Sequence, residues 1–175
     1  MSWFPCDEEM NTTAYKLTFQ AGPNEGCSIV GIRNGYSLYY RLFETTLPFP
    51  HTKIFCFDTL ENLFYFFISQ CFDIKSILIF EGEMENPKEL YWMADPIHIP
   101  GFWTEYNEKY LPYLENKTIK QYFFPLTMNI HWLKTPKGTI GCDSFTPHHI
   151  ITTNEVERAY NEVRSIYPLN AHAGA

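Results

Sequence analysis

The chain has 175 residues, of which 13 are Lys or Arg and 20 are Asp or Glu, so its formal net charge at pH 7 is −7. Neutralising phosphate groups requires clustered Lys and Arg, so this balance argues against nucleic acid and anionic membrane surfaces as partners. It favours a basic protein as partner. The length fits one domain over residues 1–175, in which we expect residues 1–13 and 170–175 to be mobile.

The five cysteines form no Cys-x-x-Cys motif and are odd in number, so neither a disulfide framework nor a zinc knuckle is indicated. The first residues lack the basic and apolar regions of a secretory signal. The longest uncharged and mainly apolar stretch, residues 62–72, is much shorter than the ~18 residues that cross a bilayer. We therefore expect a cytoplasmic protein with reduced thiols.

Strand patterns dominate the first part of the chain. Residues 15–20 alternate apolar and polar side chains, which is typical of a half-buried strand. The pair Asn34-Gly35 separates two β-rich stretches, residues 27–33 and 36–43. It predicts a hairpin because both residues tolerate a positive φ. A further short strand is predicted at residues 53–57.

A helix is predicted to begin at Asp58, because Asp58 and Glu61 have the spacing of a capping box. Apolar side chains then recur at helical spacing as far as Cys71. The continuous apolar stretch 75–80 predicts a buried strand. The acidic residues that follow, 81–89, predict a turn.

The second half of the chain mixes weaker patterns with frequent prolines. The predicted elements are a strand at 90–93, a loop at 95–101, a short helix at 103–111, strands at 118–124, 126–133 and 139–145, and a helix from Thr152 to Tyr167. The strands arrive in hairpins and do not alternate with helices. This order predicts an α+β fold, with a mostly antiparallel sheet and two or three helices packed on one face.

One group of residues suggests nucleophilic catalysis. A cysteine nucleophile requires a nearby histidine that holds it as thiolate. Cys142 and Asp143 end a predicted strand, and His148 and His149 follow in what we expect to be a loop. A small hydrolase or transferase that uses Cys142, His148 and Asp143 is therefore one hypothesis. The alternative is a buried strand cysteine followed by two surface histidines.

A metal site is a weaker hypothesis. Histidine and carboxylate side chains are common ligands of transition metals. The candidates are His98, His131, His148, His149, Asp95 and Asp143. Their spacing matches no metal-binding template, and no motif for a nucleotide or other cofactor is present. We therefore expect neither a metal nor a cofactor.

Two sets of residues suggest a binding surface for a protein. Glu81, Glu83 and Glu85 share one face if the chain is extended there, and such carboxylates can attract a basic partner. Tyr and Trp side chains dominate the binding energy of protein interfaces. The chain is rich in aromatic residues, at 18%, and the candidate anchors are Tyr91, Trp92, Trp103 and Tyr106.

The principal hypothesis from the sequence is a non-enzymatic acidic binding protein that neutralises or regulates a more basic protein, in the manner of an inhibitor or an immunity protein. The expected partner-binding residues are Glu81, Glu83, Glu85, Tyr91, Trp92, Trp103 and Tyr106. Two alternatives stay open. One is the small hydrolase or transferase, and the other is a subunit of a homo- or hetero-oligomeric assembly.

Overall fold

The computed structural model describes residues 11–29, 37–94, 99–110 and 132–167. The strands in these ranges are β1 (Thr13–Gly22), β2 (Glu25–Ser28), β3 (Tyr39–Arg41), β4 (Ile54–Phe57), β5 (Ile77–Glu85), β6 (Lys88–Glu89), β7 (Trp92–Ala94), β8 (Trp132–Lys134), β9 (Thr139–Cys142) and β10 (Ser144–Ile150). The helices are α1 (Leu60–Ser69), α2 (Ile99–Glu105) and α3 (Thr153–Ile166), with a 3-10 turn at Ile74–Ser76 and a π-helical turn at Tyr106–Tyr110.

The main sheet has the strand order β10-β5-β1-β4-β9-β6, and β2 and β3 extend it from β1. The pairings described in it are antiparallel. Strands β7 and β8 form a separate antiparallel pair. The predicted α+β class with a mostly antiparallel sheet is therefore confirmed.

The main sheet curls until its distant strands meet. Only Asp143 separates β9 from β10, although the two strands lie far apart in the strand order. The segment after β3 also reaches β10, through a bridge between Thr46 and Phe145. The concave side encloses an apolar cluster, here called the inner cluster: Ala14, Tyr40, Ile54, Cys56, Phe80, Met84, Ile140, Cys142 and Phe145.

The convex side of the sheet carries the helices. Helices α1 and α3 bury their apolar stripes against alternate residues of β1, β4 and β5. This second core includes Leu17, Phe57, Phe64, Ile79 and Val163. Helix α2 reaches the same side, because Trp103 packs on Phe55 of β4 with ring centroids 5.8 Å apart. The helices therefore pack on one face, as predicted.

The hairpin predicted around Asn34-Gly35 is confirmed by its arms. Strands β2 and β3 pair in antiparallel register, with Gly26 opposite Tyr40, while the turn itself lies outside the described residues. Strand β1 begins at Thr13, inside the segment that we expected to be mobile. Residues 1–10 and 170–175 lie outside the described residues.

Two predicted boundaries are wrong, and two predicted strands cannot be compared with the structure. Strand β5 continues to Glu85 where an acidic turn was expected, because its buried Gly82 and Met84 alternate with the glutamates. Helix α2 begins at Ile99 inside the expected loop, since proline is tolerated in the first helical turn. The predicted strand at 118–124 and most of the one at 126–133 lie outside the described residues.

The helix caps show how a single position was misassigned. Thr59, rather than Asp58, caps α1, and its hydroxyl accepts a hydrogen bond from the Asn62 amide at 3.1 Å. Asp58 accepts from the Asn62 side chain instead, at 2.8 Å. The predicted cap of α3 is confirmed, because the Thr152 hydroxyl accepts from the Glu155 amide at 3.2 Å.

Candidate functional site

The three predicted glutamates form a row on the convex side of β5. They continue the face of Ile77 and Ile79, and strand geometry spaces them about 7 Å apart. Glu83 and Glu85 are exposed, and Glu81 is half-buried. We call Glu81, Glu83 and Glu85 the acidic stripe.

Hydroxyl groups on the neighbouring strands hold the acidic stripe in place. Thr12 and Thr13 donate hydrogen bonds to Glu83 at 2.6 and 3.1 Å, and Ser144 donates to Glu85 at 3.0 Å. The hydrogen bonds from Thr12 and Thr13 are the main reason that the pKa of Glu83 is lowered, and His148 acts in the same direction. Glu83 is therefore held as a carboxylate.

Within the described residues, no Lys or Arg forms a salt bridge with the acidic stripe. The ion pairs of Lys and Arg there join Arg41 to Glu25 and Lys53 to Asp143. Hydroxyl groups orient a carboxylate but do not neutralise its charge. In the acidic stripe, Glu83 and Glu85 are therefore oriented by hydroxyl groups, and none of the three carboxylates has a Lys or Arg partner among the described residues.

The predicted aromatic anchors differ in their exposure. Tyr91 and Trp92 are half-buried, and the Tyr91 hydroxyl donates to Glu89. That hydrogen bond is the main cause that raises the pKa of Tyr91 to about 12. Trp103 and Tyr106 are 8% and 1% exposed, and their ring centroids lie 5.4 Å apart, so in this arrangement they offer little surface to a partner.

An exposed aromatic side chain that the sequence analysis missed lies near the acidic stripe. Phe43 is 73% exposed and has φ 62°, a left-handed conformation that is unusual for a bulky residue. Its ring lies 6.3 Å from that of His148, which acts electrostatically on Glu83. The alternation of the predicted strand 36–43 carries no sign of this turn, so no sequence signal identifies Phe43.

The predicted catalytic group is not assembled. Cys142 is fully buried in the inner cluster, whereas His148 and His149 are exposed on β10 and not in a loop. Asp143 accepts hydrogen bonds from Lys53 at 2.8 Å and from Asn86 at 3.2 Å. The pKa of Cys142 is raised by its hydrogen bond to Cys56 and by burial. The predicted nucleophile Cys142 and the predicted base His148 are therefore not brought together as the hydrolase hypothesis requires.

The metal candidates give no site in the part of the chain that is described. His98, His131 and Asp95 lie outside it. Among the described residues, no group of three or more His, Cys, Asp or Glu side chains is placed to hold a metal ion.

A cleft of about 550 Å³ opens beside the start of α1 and the turn before β9. Both signs of charge line it, including Asp58, Glu89, Lys134 and Lys137. It adjoins the acidic stripe through Thr13, which lines the cleft and also donates to Glu83. Its size suits a small ligand, but its mixed charges favour no single class of ligand.

Comparisons with known proteins give no relative. No family model matches the sequence, and neither the curated proteins nor the solved structures contain a match. Among the described residues, no helix combines the length and the apolar character that crossing a membrane requires.

Proposed function

We propose that this protein is a non-enzymatic binding protein that uses the acidic stripe to engage a more basic protein and so to neutralise or regulate it. The observation that carries the proposal is the row of three carboxylates, two of them oriented by hydroxyl groups, without a Lys or Arg partner among the described residues. The proposal includes the cytoplasmic location expected from the sequence, which stays a prediction.

Electrostatic attraction would act first, during encounter. Carboxylates in one row raise the local concentration of a cationic partner and orient it, and the net charge of −7 adds a long-range attraction. Exposed charge pairs are each worth only about 0.2–1 kcal/mol. Three of them therefore give specificity and speed, and an apolar anchor is needed for tight binding.

Phe43 supplies a candidate for that anchor. A non-glycine residue in a left-handed conformation costs about 1–3 kcal/mol, and such strain concentrates at functional sites. In this protein the strained conformation leaves the aromatic ring of Phe43 exposed to solvent. Tyr39 and Leu47, which flank Phe43 in the chain, are also largely exposed. An aromatic ring near carboxylates that have no Lys or Arg partner among the described residues suits a basic surface with an apolar pocket.

Neutralising the acidic stripe should weaken binding of the partner by about tenfold, because three charge interactions of roughly 0.5 kcal/mol each sum to about 1.5 kcal/mol, and about 1.4 kcal/mol is a factor of ten. The variant is Glu81→Gln/Glu83→Gln/Glu85→Gln, and the matched control is Glu61→Gln/Glu157→Gln/Glu162→Gln. The control changes net charge equally, at exposed positions on α1 and α3. Affinity capture from a lysate of the encoding organism, at low and moderate salt, compares the three proteins.

The expected result is a stoichiometric basic protein that the wild type and the control retain and the stripe variant loses, with retention falling as salt rises. A cross-linker that joins carboxylates to amines should then connect Glu83 or Glu85 to a lysine of that protein. Equal retention by the stripe variant and the control at both salt concentrations would contradict the proposal.

Phe43→Asn should raise the free energy of unfolding by about 1 kcal/mol, because asparagine adopts a left-handed conformation at lower cost. The same change should weaken capture of the partner. Leu47→Asn, at an exposed position of ordinary φ, is the control and should change stability by less than about 0.5 kcal/mol. Urea unfolding and sedimentation check this. A dimer that Phe43→Asn converts to a monomer would assign the ring to self-association instead.

A further inference from the structure

Two buried cysteines face each other inside the curled sheet. Ile54 lies opposite Cys142, and Cys56 lies opposite Ile140, so the two thiols are diagonal neighbours on β4 and β9. Cys56 and Cys142 are 1% and 0% exposed and belong to the inner cluster. The Cys142 thiol and the Cys56 sulfur are hydrogen-bonded. The pair is thus preassembled and shielded from bulk solvent.

A buried lysine lies beside this pair. Lys16 is 8% exposed, and its Nζ donates to the Phe55 carbonyl at 2.6 Å and lies 5.3 Å from the centre of the Tyr40 ring. No carboxylate in the described ranges forms a salt bridge with Lys16. The anionic group that can accompany its ammonium in the inner cluster is therefore a thiolate.

The electrostatics favour Cys56 as that thiolate. Burial alone would raise the pKa of Cys56, but the hydrogen bond from Cys142 and the charge of Lys16 outweigh it and leave the pKa lowered. Cys142 changes in the opposite direction. Cys56 is therefore the candidate for the thiolate, and it is also the thiol of the pair that lines the cavity described next, whereas Cys142 does not line it.

A small cavity borders Cys56 but not Cys142. It has a volume of about 50 Å³, and Lys16 and Cys56 both line it, together with Phe55, Phe57 and Met93. A water molecule occupies about 30 Å³ in the liquid. The cavity therefore holds one molecule of the size of hydrogen peroxide, but not a bulky disulfide such as oxidised glutathione.

We propose that Cys56 and Cys142 are a peroxide-oxidised disulfide site, in which Cys56 reacts first and Cys142 resolves. The Cys56 thiolate attacks one peroxide oxygen, the O–O bond breaks, and the departing hydroxide takes up the proton that the Cys56 thiol had lost, which gives water and a sulfenic acid. The Cys142 sulfur then attacks the Cys56 sulfur, the S–O bond breaks, and a second water leaves with the Cys142 proton. Two thiols lose two electrons in total, and one peroxide gains them.

The geometry of β4 and β9 determines how easily the disulfide between Cys56 and Cys142 can form. Diagonal neighbours on antiparallel strands have Cα atoms about 7–8 Å apart, and a disulfide requires at most about 7 Å. Strands β4 and β9 must therefore approach slightly. The residue between the two pairs on β9 is Gly141, which makes that strand easier to bend. The resulting disulfide is expected to be strained and readily reduced by thiols.

The test uses the full chain with Cys6, Cys27 and Cys71 changed to Ser, so that only the buried pair can react. The reduced protein is treated with hydrogen peroxide, free thiols are blocked with N-ethylmaleimide, and the products are identified by intact mass and peptide mapping. We expect loss of two hydrogens, a Cys56–Cys142 cross-linked peptide, and recovery of both thiols with dithiothreitol. Lys16→Met should slow the reaction by about tenfold, because it removes the charge that favours the thiolate.

A second variant keeps the proposal testable if Lys16→Met does not fold. Cys142→Ser removes the resolving thiol, so dimedone should trap the sulfenic acid on Cys56. The reciprocal variant Cys56→Ser should leave Cys142 unmodified. The proposal is overturned if peroxide leaves both thiols free at concentrations that oxidise the exposed Cys71 of the wild type. Dimedone on Cys142 and not on Cys56 would overturn the assigned order.

Discussion

Gly82→Val is expected to lower the free energy of unfolding by about 3 kcal/mol, the upper end of the usual cost of overpacking. A Cβ atom at Gly82 would lie 2.3 Å from the Thr146 carbonyl oxygen and 2.9 Å from the Pro147 Cα. Both of those atoms belong to the backbone of β10. They cannot rotate aside, so a side chain at Gly82 must push β10 away from β5.

Gly82 also lies next to an irregularity in the pairing of β5 with β10. Gly82 lies opposite Pro147, and the register of β10 shifts between Pro147 and His149. This bulge places His148 next to the ring of Phe43. A displaced β10 would therefore also disturb the surface around Glu83, and Gly82→Val should weaken partner binding as well as stability.

Gly22→Val is the matched control, because the nearest atom to a Cβ there is 3.7 Å away, at ordinary contact distance. Urea unfolding of the two variants and the wild type measures the difference. We expect a stability change within about 0.5 kcal/mol for Gly22→Val. Equal effects of the two substitutions would mean that β5 and β10 are less tightly joined than their register indicates.

Local sequence patterns were sufficient to predict the elements that depend on neighbouring residues in the chain. The Asn34-Gly35 pair predicted the pairing of β2 with β3, and Thr152 predicted the start of α3. Alternation also predicted that Glu81, Glu83 and Glu85 share one face, although the predicted strand ended at residue 80. Period and cap chemistry are local properties, and the sequence carries them directly.

Contacts between distant parts of the chain could not be predicted in this way. Alternation puts Lys16 and Thr18 on the polar face of β1, which predicts exposure to solvent. The sheet instead curls at Asp143 and closes that face, so that Lys16 and Thr18 are both buried. Helical spacing likewise cannot distinguish a core aromatic from an exposed one, so the sequence does not show that Trp103, a candidate anchor, is buried.

The free energy of unfolding of the wild type is expected to rise with pH, and Lys16→Met should abolish this rise. Burial lowers the pKa of Lys16 from its ordinary value of 10.5, although the nearby Cys56 and Cys142 partly oppose this. Between the lowered folded pKa and 10.5, the unfolded chain holds the proton and the folded chain does not. The free energy of unfolding therefore rises with pH across that window, by at most about 1.4 kcal/mol per pH unit.

Methionine has a similar length and no charge, so its contribution to stability does not depend on pH. Burying an ammonium costs several kcal/mol, whereas one hydrogen bond from it to a carbonyl returns about 1.5–3 kcal/mol. Relative to the wild type, the free energy of unfolding of the variant should therefore be highest at neutral pH. This difference should shrink as pH approaches 10.5. Both proteins carry Cys56→Ala, so that the thiol beside the amine does not titrate.

Urea unfolding at several pH values between 7 and 10 measures the difference between the two proteins. The tyrosines whose pKa values burial raises, such as Tyr40, are present in both and cancel in the difference. Lys137→Met, at an exposed position, is the control for the loss of one lysine. A constant difference for Lys16→Met would mean that water reaches the amine. The ammonium would then be screened from Cys56, and in the peroxide experiment on proteins that retain Cys56, Lys16→Met should no longer slow oxidation.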